Sequence, residues 1–129
     1  MSKLKQVAES QQVSIREGDV LLIRTGYIVE YQALSTEAQL HRHEKPLPPS
    51  IGLESSEEIL EYIWNSCAVA IAGDMLALEV WPMQSERFLL HEWLLAGWGC
   101  PIGEYLILKS WVRSVKRLED GASFLVAYL

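Results

Sequence analysis

Short, unbroken apolar runs alternate along the chain with segments whose apolar residues recur at helical spacing. "DVLLIRTGY" carries the run Val20 to Ile23 and is closed by Gly26, while "CAVAIAG" carries a second run closed by Gly73 and Asp74. Such runs read as strands covered on both faces. "EYLILK" and "SFLVAYL" read as a third and a fourth strand. Helical patterns separate them. "SKLKQVAESQQV" sets Leu4, Val7 and Ala8 on one face, and "IVEYQALSTEAQL" is compatible with one helix. In "SSEEILEYIWNS", Ser55 and Glu58 have capping-box spacing, and Ile59, Leu60, Ile63 and Trp64 form an apolar stripe. A helix starting near Arg87 places His91, Leu94, Leu95 and Trp98 on one side and stops at Gly97 and Gly99. "SWVRSVKRLED" is a further helix, whereas "HRHEKPLPPSIG" has three prolines and a glycine and reads as a loop. Strands alternating with helices predict a single α/β domain over residues 1–129 with a mostly parallel sheet.

Composition narrows the class. The 129 residues are 50% apolar and 22% charged, which suits a globular domain able to bury a core without disulfides. The net charge of −6 and the absence of an extended basic surface argue against nucleic acid as a partner. Lys109, Arg113, Lys116 and Arg117, the densest basic set, read as a solvated helix face. Cys67 and Cys100 have no CxxC partner and read as reduced core thiols, with Cys67 buried, as in a cytoplasmic protein. "MSKLKQVAES" lacks the apolar core of a signal peptide, and charges or prolines interrupt every apolar run before it could span a bilayer, so no membrane partner is expected.

"GDVLLIRTGY", "PSIGLESSEEILEYIWN", "VAIAGDMLALEVWP", "LHEWLLAGWGCPIGEYLIL" and "SFLVAYL" occur in one order. Together they resemble the C-terminal half of the metal-dependent cyclase family that includes bacterial kynurenine formamidase and isatin hydrolase, most of all its fungal members. The resemblance runs from about Val13 to Leu129. It implies a swivelling β/β/α fold, here in truncated form, an oligomer, and hydrolysis of amides or lactams of small aromatic molecules with zinc or manganese. It also implies two ligand groups: an early His-x-Gly-Thr-His-x-Asp, and a late His and Glu that match His91 and Glu104. The early group occurs nowhere in the chain. The expectation is therefore a relative that has lost its front half, or one piece of a longer protein.

The chemistry that remains follows from these residues. A catalytic zinc takes three protein ligands and a water, and His91 with Glu104 supplies two. His41 and His43 lie in the Pro-rich segment and read as surface histidines, although an extended backbone would put them on one face. No resident metal is therefore expected, with zinc or manganese as the alternative. Without metal, His91 and Glu104 can serve as general base and acid on a small-molecule substrate. Otherwise they are a partly buried helix-start histidine and a helix-exit or strand-start carboxylate, each satisfied by backbone. Arg24 and Thr25 close a strand at the edge where α/β folds hold ligands, and Trp81 and Trp98 adjoin Pro82 and the Gly97–Gly99 turn; these four are the substrate-binding candidates. Arg24 could equally form a salt bridge, and the five tryptophans could fill core and interface. The reading is a cyclase- or isomerase-type enzyme of secondary metabolism. The alternatives are a metal-dependent amide or lactam hydrolase completed by another chain, and a non-catalytic ligand-binding or regulatory remnant. Loss of half a sheet would expose apolar surface, which predicts a homodimer.

Overall fold

The computed structural model describes residues 3–12, 14–44, 48–108 and 124–128. Four strands occur among them: β1 (Val20–Arg24), β2 (Ala70–Gly73), β3 (Ile102–Gly103) and β4 (Phe124–Tyr128). Their order is β3-β2-β1-β4, and all three pairings are parallel. The α/β class and the parallel sheet expected from the alternation are both present. The helices are α1 (Lys3–Ser10), α2 (Tyr27–Ala33), α3 (Thr36–His43) and α4 (Glu57–Ser66), followed by a π-helix at Glu92–Gly97.

Side chains alternate across a strand, so each run feeds two faces. Leu21, Ile23 and Ile71 point into the main core with Leu4 of α1, Ile59, Leu60 and Ile63 of α4, Leu90 just before the π-helix and Leu94 within it. Leu22 and Ala72 point the other way and pack with Leu108. Gly73 ends β2 because a Cβ there would collide with the Met75 sulfur and lie 2.8 Å from the Ile23 carbonyl oxygen.

Several local expectations change. "IVEYQALSTEAQL" is two helices, because Leu34 is extended and Ser35 caps the second by accepting from the Ala38 amide at 3.2 Å. That second helix, α3, enters the expected loop and carries His41 and His43. On a helix, residues two apart do not share a face, so the extended-segment chelate is ruled out. The α4 cap is Ser56, accepting from the Ile59 amide at 3.4 Å; Ser55 is buried one residue earlier. Trp64 leaves the apolar stripe and is 60% exposed. Cys67 is exposed rather than buried, since it occupies the left-handed turn that ends α4 (φ 52°). The helix expected from Arg87 is an α-turn at Leu90–His91 running into the π-helix, where the Trp98 amide reaches the Trp93 carbonyl at 2.9 Å; Leu95 is exposed. The third strand is Ile102–Gly103 rather than the expected 104–109: Tyr105 turns left-handed (φ 57°), and residue 109 lies outside the described residues. The helix "SWVRSVKRLED", with Lys109, Trp111, Arg113, Lys116 and Arg117, lies outside the described residues. No helix among the described residues is long and apolar enough to cross a membrane.

Ile71 is fully buried at the centre of the main core. Ile71→Ala should lower unfolding free energy by about 2–5 kcal/mol, the usual range for a buried aliphatic truncation; urea denaturation followed by far-UV circular dichroism measures it.

Candidate functional site

Parallel strands leave their carboxyl ends on one edge, and the polar residues of this chain gather there. After β1 come Thr25 and Gly26; after β2 comes Asp74; after β3 come Glu104 and Tyr105. Asp74 is buried and accepts three hydrogen bonds: from the Thr25 amide at 2.6 Å, the Thr25 hydroxyl at 2.8 Å and the Gly26 amide at 2.9 Å. A buried carboxylate needs such partners, and this one ties the ends of β1 and β2 together. Thr25, a substrate-binding candidate, is thus occupied in holding Asp74. Arg24 ends β1, is partly buried and has polar partners of its own.

His91 and Glu104 meet. The His91 Nε2 is 3.1 Å from Glu104 Oε1. The His91 Nδ1 is 2.8 Å from Oε2 of a second carboxylate, Glu79. Glu79 was not among the residues marked by the sequence. Its signal was a lone charge inside the apolar stretch "MLALEVW", twelve positions before His91. The segment that carries it is held as a ladder: the Leu53 amide donates to the Leu78 carbonyl at 2.7 Å and the Val80 amide to the Leu53 carbonyl at 2.9 Å. Gly52 permits this approach, because a Cβ there would collide with the Glu79 backbone. The Leu78 amide also donates to Glu104 Oε1 at 2.7 Å, locking both carboxylates to one backbone stretch.

Exposure grades the three side chains: 12% for Glu79, 30% for Glu104 and 37% for His91. Glu79 is the inner partner that fixes the ring, and the Nε2 edge with Glu104 faces outward. Nδ1 is hydrogen-bonded to Glu79, and Nε2 lies 3.1 Å from Glu104 Oε1 on the more exposed side of the cluster.

Zinc or manganese does not fit this set by itself. Only Nε2 and Glu104 converge on one point, Nδ1 is taken by Glu79, and among the described residues no three His, Cys, Asp or Glu side chains are grouped to hold a metal ion. His41 is paired instead with Glu44 on the surface, Nδ1 to Oε2 at 2.7 Å.

The aromatic candidates lie apart from this edge cluster. Trp81 is fixed in a two-bond bridge with Ser50, amide to carbonyl in each direction at 3.0 and 3.1 Å. Trp98 packs on Trp64 (centroids 5.0 Å) and Trp93 (6.1 Å), and with Trp64, Cys67 and Cys100 it lines a groove of about 410 Å³. A larger groove of about 930 Å³ runs between α1 and residues 51–54. Neither is lined by His91, Glu79 or Glu104, which gather instead at the carboxyl edge of the sheet. The chain matches no protein-family profile, no curated protein and no solved structure.

Burial pushes the Cys100 thiol above its ordinary range. The folded state therefore holds that proton more tightly than the unfolded chain, a preference that stabilises below the unfolded thiol pKa and fades as pH rises through the folded one. Cys67, exposed, should react first with a thiol reagent at mildly alkaline pH. Cys100 should follow only at higher pH or on unfolding. Mass spectrometry of timed labelling checks the order.

Proposed function

We propose that the chain is a small-molecule enzyme of the cyclase or isomerase type, moving a proton at a carbonyl-bearing substrate without a resident metal. One observation carries the reading: an imidazole oriented by a buried carboxylate on Nδ1 and facing a second, half-open carboxylate on Nε2. This is the arrangement general acid–base catalysis needs. The inner carboxylate sets the ring, as the third member of a catalytic triad does, and the outer pair exchanges the proton. His91 takes a proton from the carbon beside the carbonyl, and Glu104 returns one to oxygen or to a neighbouring carbon. Glu79 touches only His91 and is a positioning residue. By sequence motif, His91 and Glu104 match the late ligand pair of the cyclase family that the chain resembles, which supports a shared pocket for the two.

The same 3.1 Å approach supports a second reading, a metal-dependent amide or lactam hydrolase whose remaining ligands come from another chain. Metal analysis of the purified protein separates the two: near-stoichiometric zinc or manganese favours the hydrolase.

Keto–enol interconversion of phenylpyruvate, followed at the enol absorbance, tests the acid–base reading. The expected result is acceleration over buffer, reduced tenfold or more by His91→Ala and by Glu104→Ala, on the scale of about 10²–10⁴ for general acid–base groups. Glu79→Gln should lower kcat with little change in KM and displace the pH profile. Equal rates in wild type, His91→Ala and Glu104→Ala would remove the pair from the mechanism.

The homodimer is part of the same proposal. Trp64, Val69, Trp93 and Leu95 expose apolar surface beside the Trp98 groove, and such surface favours association. Light scattering at micromolar concentration should give twice the chain mass; a stable monomer would refute it.

A further inference from the structure

The groove of about 930 Å³ beside α1 contains none of the residues used by the acid–base reading. Its volume falls within the roughly 300–1,000 Å³ of small-molecule sites. Leu4, Leu53 and Ile59 form its floor, each no more than 2% exposed, so the groove opens onto the main core. Val7, Ile51 and Val80 add apolar wall. Ile51 is 46% exposed, a large aliphatic side chain left against water at a concave surface. An apolar hollow with a few polar groups is the usual lining of a ligand site.

One wall is the ladder that carries Glu79. Gly52, Leu53 and Val80 line the groove, and the same residues hold the ladder together. The Leu53 amide donates to the Leu78 carbonyl at 2.7 Å, and the Val80 amide to the Leu53 carbonyl at 2.9 Å. Successive residues of an extended segment face opposite ways. Glu79 accordingly reaches the His91 Nδ1 while Val80 lines the groove. A ligand in the groove would pack behind the segment that fixes the His91 ring.

The polar lining residues set the head group. Lys3 and Glu54 are both exposed and carry opposite charges. A carboxylate is drawn to one and repelled by the other, and an ammonium likewise, so a charged head gains little. Gln84 offers a donor and an acceptor. Ser10 donates its hydroxyl proton to the Val7 carbonyl at 2.8 Å and keeps its oxygen as an acceptor. Such a lip suits an uncharged head that hydrogen-bonds, on an aliphatic or aryl body. Trp64, Val69, Trp93 and Leu95, assigned above to the homodimer surface, do not line this groove.

We propose that the groove between α1 and residues 51–54 binds a small neutral amphipath, with its apolar body on Leu53, Ile59 and Val80 and its uncharged head beside Ser10 and Gln84. The site goes beyond the acid–base reading and does not depend on it.

Titration of the full chain with N-phenyl-1-naphthylamine tests it. This probe is neutral, mostly apolar, carries one N–H, and fluoresces strongly only out of water. The expected result is saturable enhancement with wild type. Ile51→Glu should weaken binding about tenfold or more, because the ligand would then strip water from a carboxylate. Leu40→Glu makes the same change at an exposed leucine outside the lining, and Trp64→Glu makes it in the other groove; both should bind as wild type does. Far-UV circular dichroism confirms that each variant is folded. Nonanamide should displace the probe at lower concentration than nonanoate or nonylammonium. No saturable enhancement with wild type, equal affinity in Ile51→Glu, or loss of binding in Trp64→Glu instead overturns the proposal. So does stronger displacement by either charged competitor. A signal per chain that falls as chain concentration rises would mean that a second copy fills the groove, and it also overturns the proposal. His91→Gln, which removes the imidazole of the acid–base reading, should bind the probe unchanged, so the two ideas fail separately.

Discussion

The register of β1 against β2 is the constraint on which the rest depends. Val20 lies level with Ala70 and Ile23 with Gly73, in parallel. That pairing alone brings Thr25 and Asp74 to the same height, where the buried carboxylate finds three donors. A slip of β2 by one residue would turn Ile71 out of the main core and separate Asp74 from its partners. Packing and polar satisfaction therefore enforce the same alignment. Everything later in the chain, from the Glu79 segment to Tyr105, is hung from that edge.

The polar groups at the edge form a succession rather than a scatter. Glu79 holds His91, His91 meets Glu104, Glu104 accepts from the backbone that carries Glu79, and Tyr105 follows Glu104 in the chain. On the other side Asp74 holds Thr25, and Thr25 receives the amide of Tyr27. Thr25 is thus fixed by the more buried Asp74, and His91 by the more buried Glu79. Preorganisation of this kind limits the motion lost when a substrate arrives.

Strands and core were legible because alternation on a two-sided sheet forces apolar runs; Val20–Ile23 and Ala70–Ala72 could hardly be read otherwise. The pairing of His91 with Glu104 was legible through the resemblance. What the linear pattern could not reveal lay where tertiary bonds override local preference. Ser56 rather than Ser55 caps α4, although it is Ser55 that has a glutamate three residues on. Cys67 adopts a left-handed turn usually given to glycine. Glu79 was hidden because its meaning depends on a ladder with residues 50–53, which no local period announces. Tyr105 was read as strand interior because its neighbours are apolar, and its backbone turn is set by carbonyls of Gly73 and Met75.

The outer position of β4 has a consequence for how the molecule comes into being. Phe124–Tyr128 pairs with Val20–Arg24, so that flank of β1 waits for its partner until the segment carrying β4 has been made. During that interval β1 can join β2, but its other edge offers unpaired amides and carbonyls to any extended segment nearby. Long-range parallel closure of this kind is slow. The nascent chain is most exposed to mispairing just before β4 arrives.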